Sequence, residues 1–109
     1  MQYNEIKKLK QMLKKENIPF VFHELRTPYD FMYGLGERYQ ICYPNDKDKI
    51  CSVVEGHGTY GANEDKLEIM GLLTEEELEY DTVCGYLTAE DVFERIKKHY
   101  NGGDGDAAD

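Results

Sequence analysis

Two short runs of alternating side chains, separated by a polar turn, most constrain how this chain can fold. Apolar and polar residues alternate from Tyr39 to Tyr43, and a similar run follows at residues 50–55. A period of two predicts strands with one buried face. Because residues 45–48 (Asn-Asp-Lys-Asp) are typical turn formers, the two runs predict an antiparallel hairpin.

The hairpin also predicts where two cysteines lie. A four-residue turn pairs Tyr43 with Ile50 and places Cys42 opposite Cys51 on one face of the sheet. A slip of one residue would move the two thiols to opposite faces. Together with residues of the glycine-rich segment that follows, they define a candidate pocket or thiol cluster: Cys42, Cys51, Glu55, His57 and Tyr60.

Helical periodicity and capping sequences predict three helices. Residues 2–16 place apolar side chains on one face and lysines on the other. Thr74 is followed three positions later by Glu77, a capping box that predicts a brief acidic helix over residues 75–80. A comparable sequence at Thr88 precedes an apolar stripe that predicts a C-terminal helix ending near Tyr100.

Further strands complete the predicted sheet. Residues 20–25 have the aromatic and β-branched content of a first strand, and residues 26–37 then form a loop. Residues 66–73 fit either a strand or a short helix, with the strand favoured. The sequence therefore predicts an α+β fold over residues 1–101, in which an N-terminal helix, a short acidic helix and a C-terminal helix pack on a small antiparallel sheet of three to four strands. Residues 102–109 are predicted to form a disordered tail.

Length and cysteine content limit the class of protein. The 109 residues suffice for one domain, and no apolar run is long enough to cross a membrane. The N-terminus does not resemble a secretory signal, so we expect a cytoplasmic protein. Its three cysteines lack zinc-type spacing, which favours free thiols and no cofactor. His23 stands alone in the first strand and is interpreted as a surface or hydrogen-bonded residue.

Charge is unevenly distributed along the chain. The net charge is −9, and residues 55–94 contain twelve acidic side chains against a single cation, Lys66. An acidic balance opposes general nucleic-acid binding, which requires cations to displace the counterions of phosphates. The densest acids define a candidate acidic binding face: Glu75, Glu76, Glu77, Glu79 and Asp81.

Four segments of the chain resemble a family of small proteins encoded in phages and prophages of Gram-positive gut bacteria. These segments are YQICYP, KICSVVEGHGTYG, LEIMGLLTEEE and GYLTAEDVFERIKKH, and the likeness covers most of residues 5–99. The resemblance implies an intracellular phage accessory protein. The resemblance does not identify any catalytic residue in this chain.

Three functions are compatible with these features. The first is a protein-binding modulator whose acidic face engages a host or phage protein, as a DNA mimic or a host-factor inhibitor. The second is a metal-binding or enzymatic protein built on the thiol cluster, although the sequence favours a non-enzymatic role. The third is a nucleic-acid binder that uses the lysines of the first helix, with Tyr39 or Tyr43 as a stacking platform. The acids also have a simpler interpretation, since they keep a small domain soluble.

Overall fold

The computed structural model describes residues 3–25, 32 and 37–102. Five strands form one antiparallel sheet, in which each strand lies beside the next one along the chain. The strands are β1 (Val21–Glu24), β2 (Arg38–Tyr43), β3 (Cys51–Gly56), β4 (Leu67–Met70) and β5 (Val83–Leu87). The α+β class is confirmed, and the sheet has at least one strand more than the sequence predicted.

The helices lie close to their predicted positions. They are α1 (Asn4–Lys15), α2 (Glu75–Leu78) and α3 (Ala89–Tyr100), and a short 3-10 helix (Ala62–Glu64) precedes β4. Both capping boxes are present, because the Thr74 and Thr88 hydroxyls accept hydrogen bonds from the backbone N–H groups of Glu77 and Asp91. None of the helices among the described residues has the length and apolar character needed to cross a bilayer.

The core lies between the two long helices and one face of the sheet. Ile6, Leu9 and Leu13 of α1 are fully buried there, together with apolar residues of α3 and of every strand from β2 to β4. Two contacts show that α1 and α3 run parallel. Near the N-termini of the two helices Glu5 accepts a hydrogen bond from the N–H of Ala89 (2.7 Å), and near their C-termini Glu16 pairs with Lys97 (3.4 Å). Burial of these two apolar stripes positions both helices on the sheet.

The two long helices pack against one face of the sheet, and we call the opposite face the open face. Side chains that alternate with the core residues point there. From β1 to β4 these are residues 21 and 23, 40 and 42, 52 and 54, and 68 and 70.

The predicted hairpin register is wrong by one residue. Tyr43 pairs with Cys51, and Cys42 pairs with Ser52. The connecting loop runs from Pro44 to Ile50 and is closed by a hydrogen bond from the Ile50 N–H to the Tyr43 carbonyl (2.7 Å). This register buries both Tyr43 and Cys51 in the core, which the register of a four-residue turn would not do. As a consequence, Cys42 and Cys51 lie on opposite faces of the sheet.

The strand β5 was not predicted, and its geometry explains why. Leu67 pairs with Leu87, but Ile69 pairs with Cys84, so β5 contains one extra residue opposite β4. Tyr86 within this bulge has a left-handed φ of 63°. A bulge interrupts the alternation of side chains from which a strand is recognised in a sequence. The predicted strand at 66–73 is confirmed as β4, whereas the loop at 26–37 and the tail at 102–109 fall largely outside the described residues.

Candidate functional site

The structure does not assemble the thiol cluster predicted from the sequence. Cys51 and Glu55 point into the core from β3, whereas Cys42 points to the open face from β2. His57 is exposed in the turn after β3, and Tyr60 is 56% exposed in the same segment. The five residues therefore occupy three different environments, and the predicted Cys42–Cys51–His57 site is not formed.

Cys42 instead lies beside two residues that the sequence analysis did not group with it. One ligand atom from each of His23, Cys42 and Asp46 lies within 4.8 Å of the other two. The His23 Nε2 is 2.8 Å from an Asp46 carboxylate oxygen, a hydrogen-bond distance. We call this group the His–Cys–Asp cluster.

Two strands and one loop bring the His–Cys–Asp cluster together. Val21 of β1 pairs with Cys42 of β2, which places His23, two residues after Val21, on the same face as the thiol. Asp46 belongs to the loop after β2, where the side chain of Asn45 accepts a hydrogen bond from the Asp48 N–H (2.7 Å) and so stabilises the turn. This loop geometry places the Asp46 carboxylate beside His23.

The raised pKa and the burial of Cys42 disfavour a role as a nucleophile. Burial, followed by the neighbouring Asp46 carboxylate, raises the pKa of the Cys42 thiol. Hydrogen bonding to His23 lowers the pKa of Asp46, which keeps that carboxylate ionised. A reactive cysteine requires a lowered pKa and access to solvent, whereas Cys42 is fully buried. Nitrogen, sulfur and oxygen donors in one place are instead a ligand set suited to a metal ion.

No local motif in the sequence could have revealed this cluster. His23 and Cys42 are nineteen positions apart and meet only through the β1–β2 pairing, while Asp46 has the appearance of an ordinary turn residue. Prediction of the β1–β2 register would have been the necessary signal.

Glu55 has a structural role at the start of α1. It is fully buried, and its Oε1 accepts a hydrogen bond from the Ile6 N–H (3.0 Å). The second oxygen, Oε2, receives no hydrogen bond from a donor among the described residues. Burial, together with hydrogen bonding to Asp65, raises the pKa of Glu55 to about 8. Glu55 is therefore protonated at neutral pH, and its carboxyl group shares a hydrogen bond with the Asp65 carboxylate.

Asp65 completes the anchoring of this helix. Its Oδ1 accepts hydrogen bonds from the N–H groups of Asn4 (2.9 Å) and Glu5 (3.1 Å). Burial would raise the pKa of Asp65, but the hydrogen bonds from Glu55 and from the helix outweigh that effect and hold the pKa below its usual range. One neutral and one ionised carboxyl group thus replace the missing side-chain cap at the N-terminus of α1.

Glu77, which the sequence placed on the acidic face, points inward. Its carboxylate accepts two hydrogen bonds from the guanidinium of Arg95, at 2.8 and 2.7 Å, and one from the Thr74 N–H at 2.9 Å. Arg95 also donates to the Leu72 carbonyl (2.9 Å). Glu77 therefore attaches α2 to α3 and is unavailable to a partner.

The remaining residues of the acidic face are exposed, and two exposed apolar side chains alternate with them along the chain. Leu78 is 55% exposed and Tyr80 is 90% exposed, a high value for an aromatic residue. We use the name acidic segment for residues 75–81, whose exposed carboxylates belong to Glu75, Glu76, Glu79 and Asp81.

The rest of the acidic excess is largely explained by structural contacts. Between residues 55 and 94, seven of the twelve acids bind a backbone N–H group or a cation in the fold: Glu55, Asp65, Glu68, Glu77, Asp81, Glu90 and Asp91. The five acids that make no such contact with a described residue are Glu64, Glu75, Glu76, Glu79 and Glu94; all five are exposed, and three of them lie in the acidic segment.

Three of the five lysines of α1 contact other side chains of the fold, whereas Lys14 and Lys15 are exposed. Lys7 lies over the ring of Tyr39 (5.3 Å), Lys10 lies over the ring of Phe22 (4.3 Å), and Lys8 pairs with Glu90. Tyr39 is 8% exposed and Tyr43, whose hydroxyl is bonded to His99, is 2% exposed. The prediction that Tyr39 or Tyr43 offers a stacking platform is therefore wrong, because both rings are buried.

Comparisons of the chain with protein-family models, with curated proteins and with solved structures gave no match.

Proposed function

We propose that this protein is a protein-binding modulator and that the acidic segment is its contact surface. The observation that carries the proposal is the exposure of Leu78 and Tyr80 between four exposed carboxylates. Protein interfaces combine a small number of aromatic or apolar anchors with a polar rim. The acidic segment has this composition.

The acidic segment is held in place before any partner arrives. The capping box of Thr74 fixes its start, and the Glu77–Arg95 ion pair fixes its centre against α3. The N–H groups of Tyr80 and Asp81 both donate to the carbonyl of Glu77, which closes the end of α2 as a turn. An interface whose backbone is already ordered loses less conformational entropy on binding.

Charge indicates the chemistry of the partner. Four carboxylates around two apolar anchors complement a protein surface that offers lysine or arginine side chains around an apolar groove. A DNA mimic would instead present a longer array of carboxylates at phosphate-like spacing, so the apolar centre favours a protein groove over a nucleic-acid site. The resemblance to small prophage proteins adds the expectation that the partner is a host or phage protein in the cytoplasm.

A charge-reversal comparison tests the proposal. The double variant Glu76→Lys/Glu79→Lys alters the acidic segment, and Glu64→Lys/Glu94→Lys makes the same change of net charge at exposed acids outside it. Each tagged protein is expressed in a Gram-positive host, and the co-purified proteins are quantified by mass spectrometry at low and high salt.

We expect a stoichiometric partner that is retained by the wild type and by Glu64→Lys/Glu94→Lys, is lost from Glu76→Lys/Glu79→Lys, and weakens as salt rises. Equal retention by both double variants would contradict the proposal, because the acids would then serve solubility alone. Absence of any specific partner at either salt concentration would also contradict it.

A further inference from the structure

We propose that His23, Cys42 and Asp46 form a binding site for one Zn²⁺ ion on the open face of the sheet. The proposal is independent of the acidic segment, because its residues belong to β1, β2 and the loop after β2. It goes beyond the metal site considered from the sequence, which combined Cys42 with Cys51 and His57.

The three donors match the preferences of zinc. Zn²⁺ is bound in proteins by cysteine sulfur, histidine nitrogen and carboxylate oxygen, usually in a tetrahedral arrangement. With metal–ligand distances of about 2.0–2.3 Å, tetrahedral donors lie roughly 3.3–3.6 Å apart. In the His–Cys–Asp cluster the His23–Asp46 contact is 2.8 Å and no pair of ligand atoms exceeds 4.8 Å. Side-chain rotations that move the ligand atoms by about 1 Å would therefore allow all three donors to bind a common metal ion.

The exposure of the ligands suits the entry of an ion. The side chains of His23 and Asp46 are 36% and 55% exposed, so both can adjust and both can be reached from solvent. Cys42 lies beneath them, fully buried and held between the neighbouring strands β1 and β3. Because His23 and Asp46 can move aside, an ion from solvent can reach the sulfur of Cys42.

Charge balance also supports a divalent cation. Metal binding requires deprotonated ligands, so Asp46 binds as a carboxylate and the Cys42 thiol releases its proton to solvent as the Zn–S bond forms. Two negative ligands and one neutral imidazole then neutralise Zn²⁺. Three protein ligands leave one tetrahedral position for water or an external ligand, the arrangement found in open zinc sites.

Binding of Zn²⁺ is measured on the reduced, untagged protein after treatment with a chelator. Metal content is determined by elemental analysis after incubation with Zn²⁺ and removal of the excess. Affinity is measured by Co²⁺ titration, because a bound thiolate produces a charge-transfer absorption, followed by displacement of Co²⁺ with Zn²⁺. We expect one metal per chain and a thiolate-to-cobalt band.

Single substitutions identify the ligands. Loss of an outer-shell partner typically lowers metal affinity about 10–100-fold, so removal of a ligand itself should cost at least about tenfold. We expect that loss for His23→Gln, Asp46→Asn and Cys42→Ser, with the cobalt band abolished only by Cys42→Ser. The matched controls His57→Gln and Cys84→Ser should bind the metal like the wild type.

Several results would overturn the proposal. One is a protein that takes up no stoichiometric metal. Another is an affinity that is unchanged in His23→Gln and Asp46→Asn. These two side chains are partly exposed, so their substitution tests the site even if Cys42→Ser does not fold. Loss of binding in His57→Gln would instead support the cluster predicted from the sequence and contradict the one proposed here.

Discussion

The carboxylate of Glu77 and the guanidinium of Arg95 form a two-point ion pair, with nitrogen–oxygen distances of 2.8 and 2.7 Å. Paired hydrogen bonds of this kind are stronger and more directional than single ones. Both side chains are less than a quarter exposed. The pair joins the short acidic helix α2 to the long helix α3 and so determines how Leu78 and Tyr80 are presented.

Substitution of Glu77 by glutamine should therefore destabilise the fold. The hydrogen bond from Arg95 lowers the pKa of Glu77 to about 2, so the carboxylate is charged in the folded protein over almost the whole pH range. We expect Glu77→Gln to lower the free energy of unfolding at pH 7 by about 1–3 kcal/mol. Urea denaturation measures the change.

The pH dependence of the same variant provides a second check. A lowered folded pKa contributes stability that is present above the ordinary value of 4.5 and is lost as pH falls towards 2. The difference between the wild type and Glu77→Gln should therefore shrink in acid. The exposed neighbour Glu76→Gln serves as the control and should change stability by no more than about 0.5 kcal/mol. Equal effects of the two substitutions would show that the ion pair does not stabilise the fold.

Glu55 predicts a pH dependence of the opposite sign. Its folded pKa of about 8 lies above the ordinary value of 4.5, so its contribution to stability is complete below pH 4.5 and is lost as pH rises to about 8. The loss is on the order of a few kcal/mol. Glu55→Gln imitates the protonated acid, since its carbonyl can accept from the Ile6 N–H and its amide can donate to Asp65.

Unfolding measured between pH 5 and 9 tests this expectation. The wild type should lose stability relative to Glu55→Gln as pH rises, and the two proteins should be similar at pH 5. If Glu55→Gln is strongly destabilised at pH 5, then Glu55 binds as a carboxylate and the protonated pair with Asp65 is incorrect.

Gly71 is predicted to tolerate no side chain. Its φ is +95°, and a Cβ atom would lie 2.1 Å from the carbonyl oxygen of Ile50. We expect Gly71→Ala to lower the free energy of unfolding by about 2–4 kcal/mol, because backbone strain and steric overlap act together. Gly102 has a similar φ of +80° with no atom within 4 Å of a Cβ, so Gly102→Ala isolates the strain. Thermal unfolding measures the loss of stability in both variants. Equal losses would show that steric overlap with the Ile50 carbonyl does not contribute at position 71.

The hairpin register predicts the reactivity of the three cysteines. Cys42 and Cys51 are fully buried on opposite faces, and burial raises the pKa of Cys51 to about 12. Cys84 is partly exposed. In the metal-free folded protein an alkylating reagent should modify Cys84 first, whereas all three thiols should react after unfolding. Peptide mass spectrometry measures the order, and a disulfide between Cys42 and Cys51 in the mildly oxidised, folded protein would contradict the register.

Features governed by neighbouring residues could be predicted from the sequence. The capping boxes at Thr74 and Thr88 are complete within four positions, and the apolar stripes of α1 and α3 are local periodicities. The hairpin was found for the same reason. Its register was not, because the choice between Ile50 and Cys51 as the partner of Tyr43 depends on which side chain the core accepts.

Features that require distant residues were missed. The bulge at Gly85 and Tyr86 removes the alternation that would have marked β5. His23, Cys42 and Asp46 meet only after β1 has paired with β2. The inward position of Glu77 likewise depends on Arg95, eighteen positions later. In each case the determining contact belongs to the tertiary structure and leaves no local pattern.

The most direct test of the acidic segment as an interface is the amount of partner that co-purifies with Tyr80→Ala. Tyr80 is 90% exposed and is not part of the core, so its removal should leave stability unchanged. Tyr100→Ala, which removes a 48% exposed tyrosine from α3, is the matched control. If Tyr80 is a central anchor, Tyr80→Ala should lower partner recovery at least about tenfold, and Tyr100→Ala should not. Equal recovery with Tyr80→Ala, Tyr100→Ala and the wild type would contradict the proposed function.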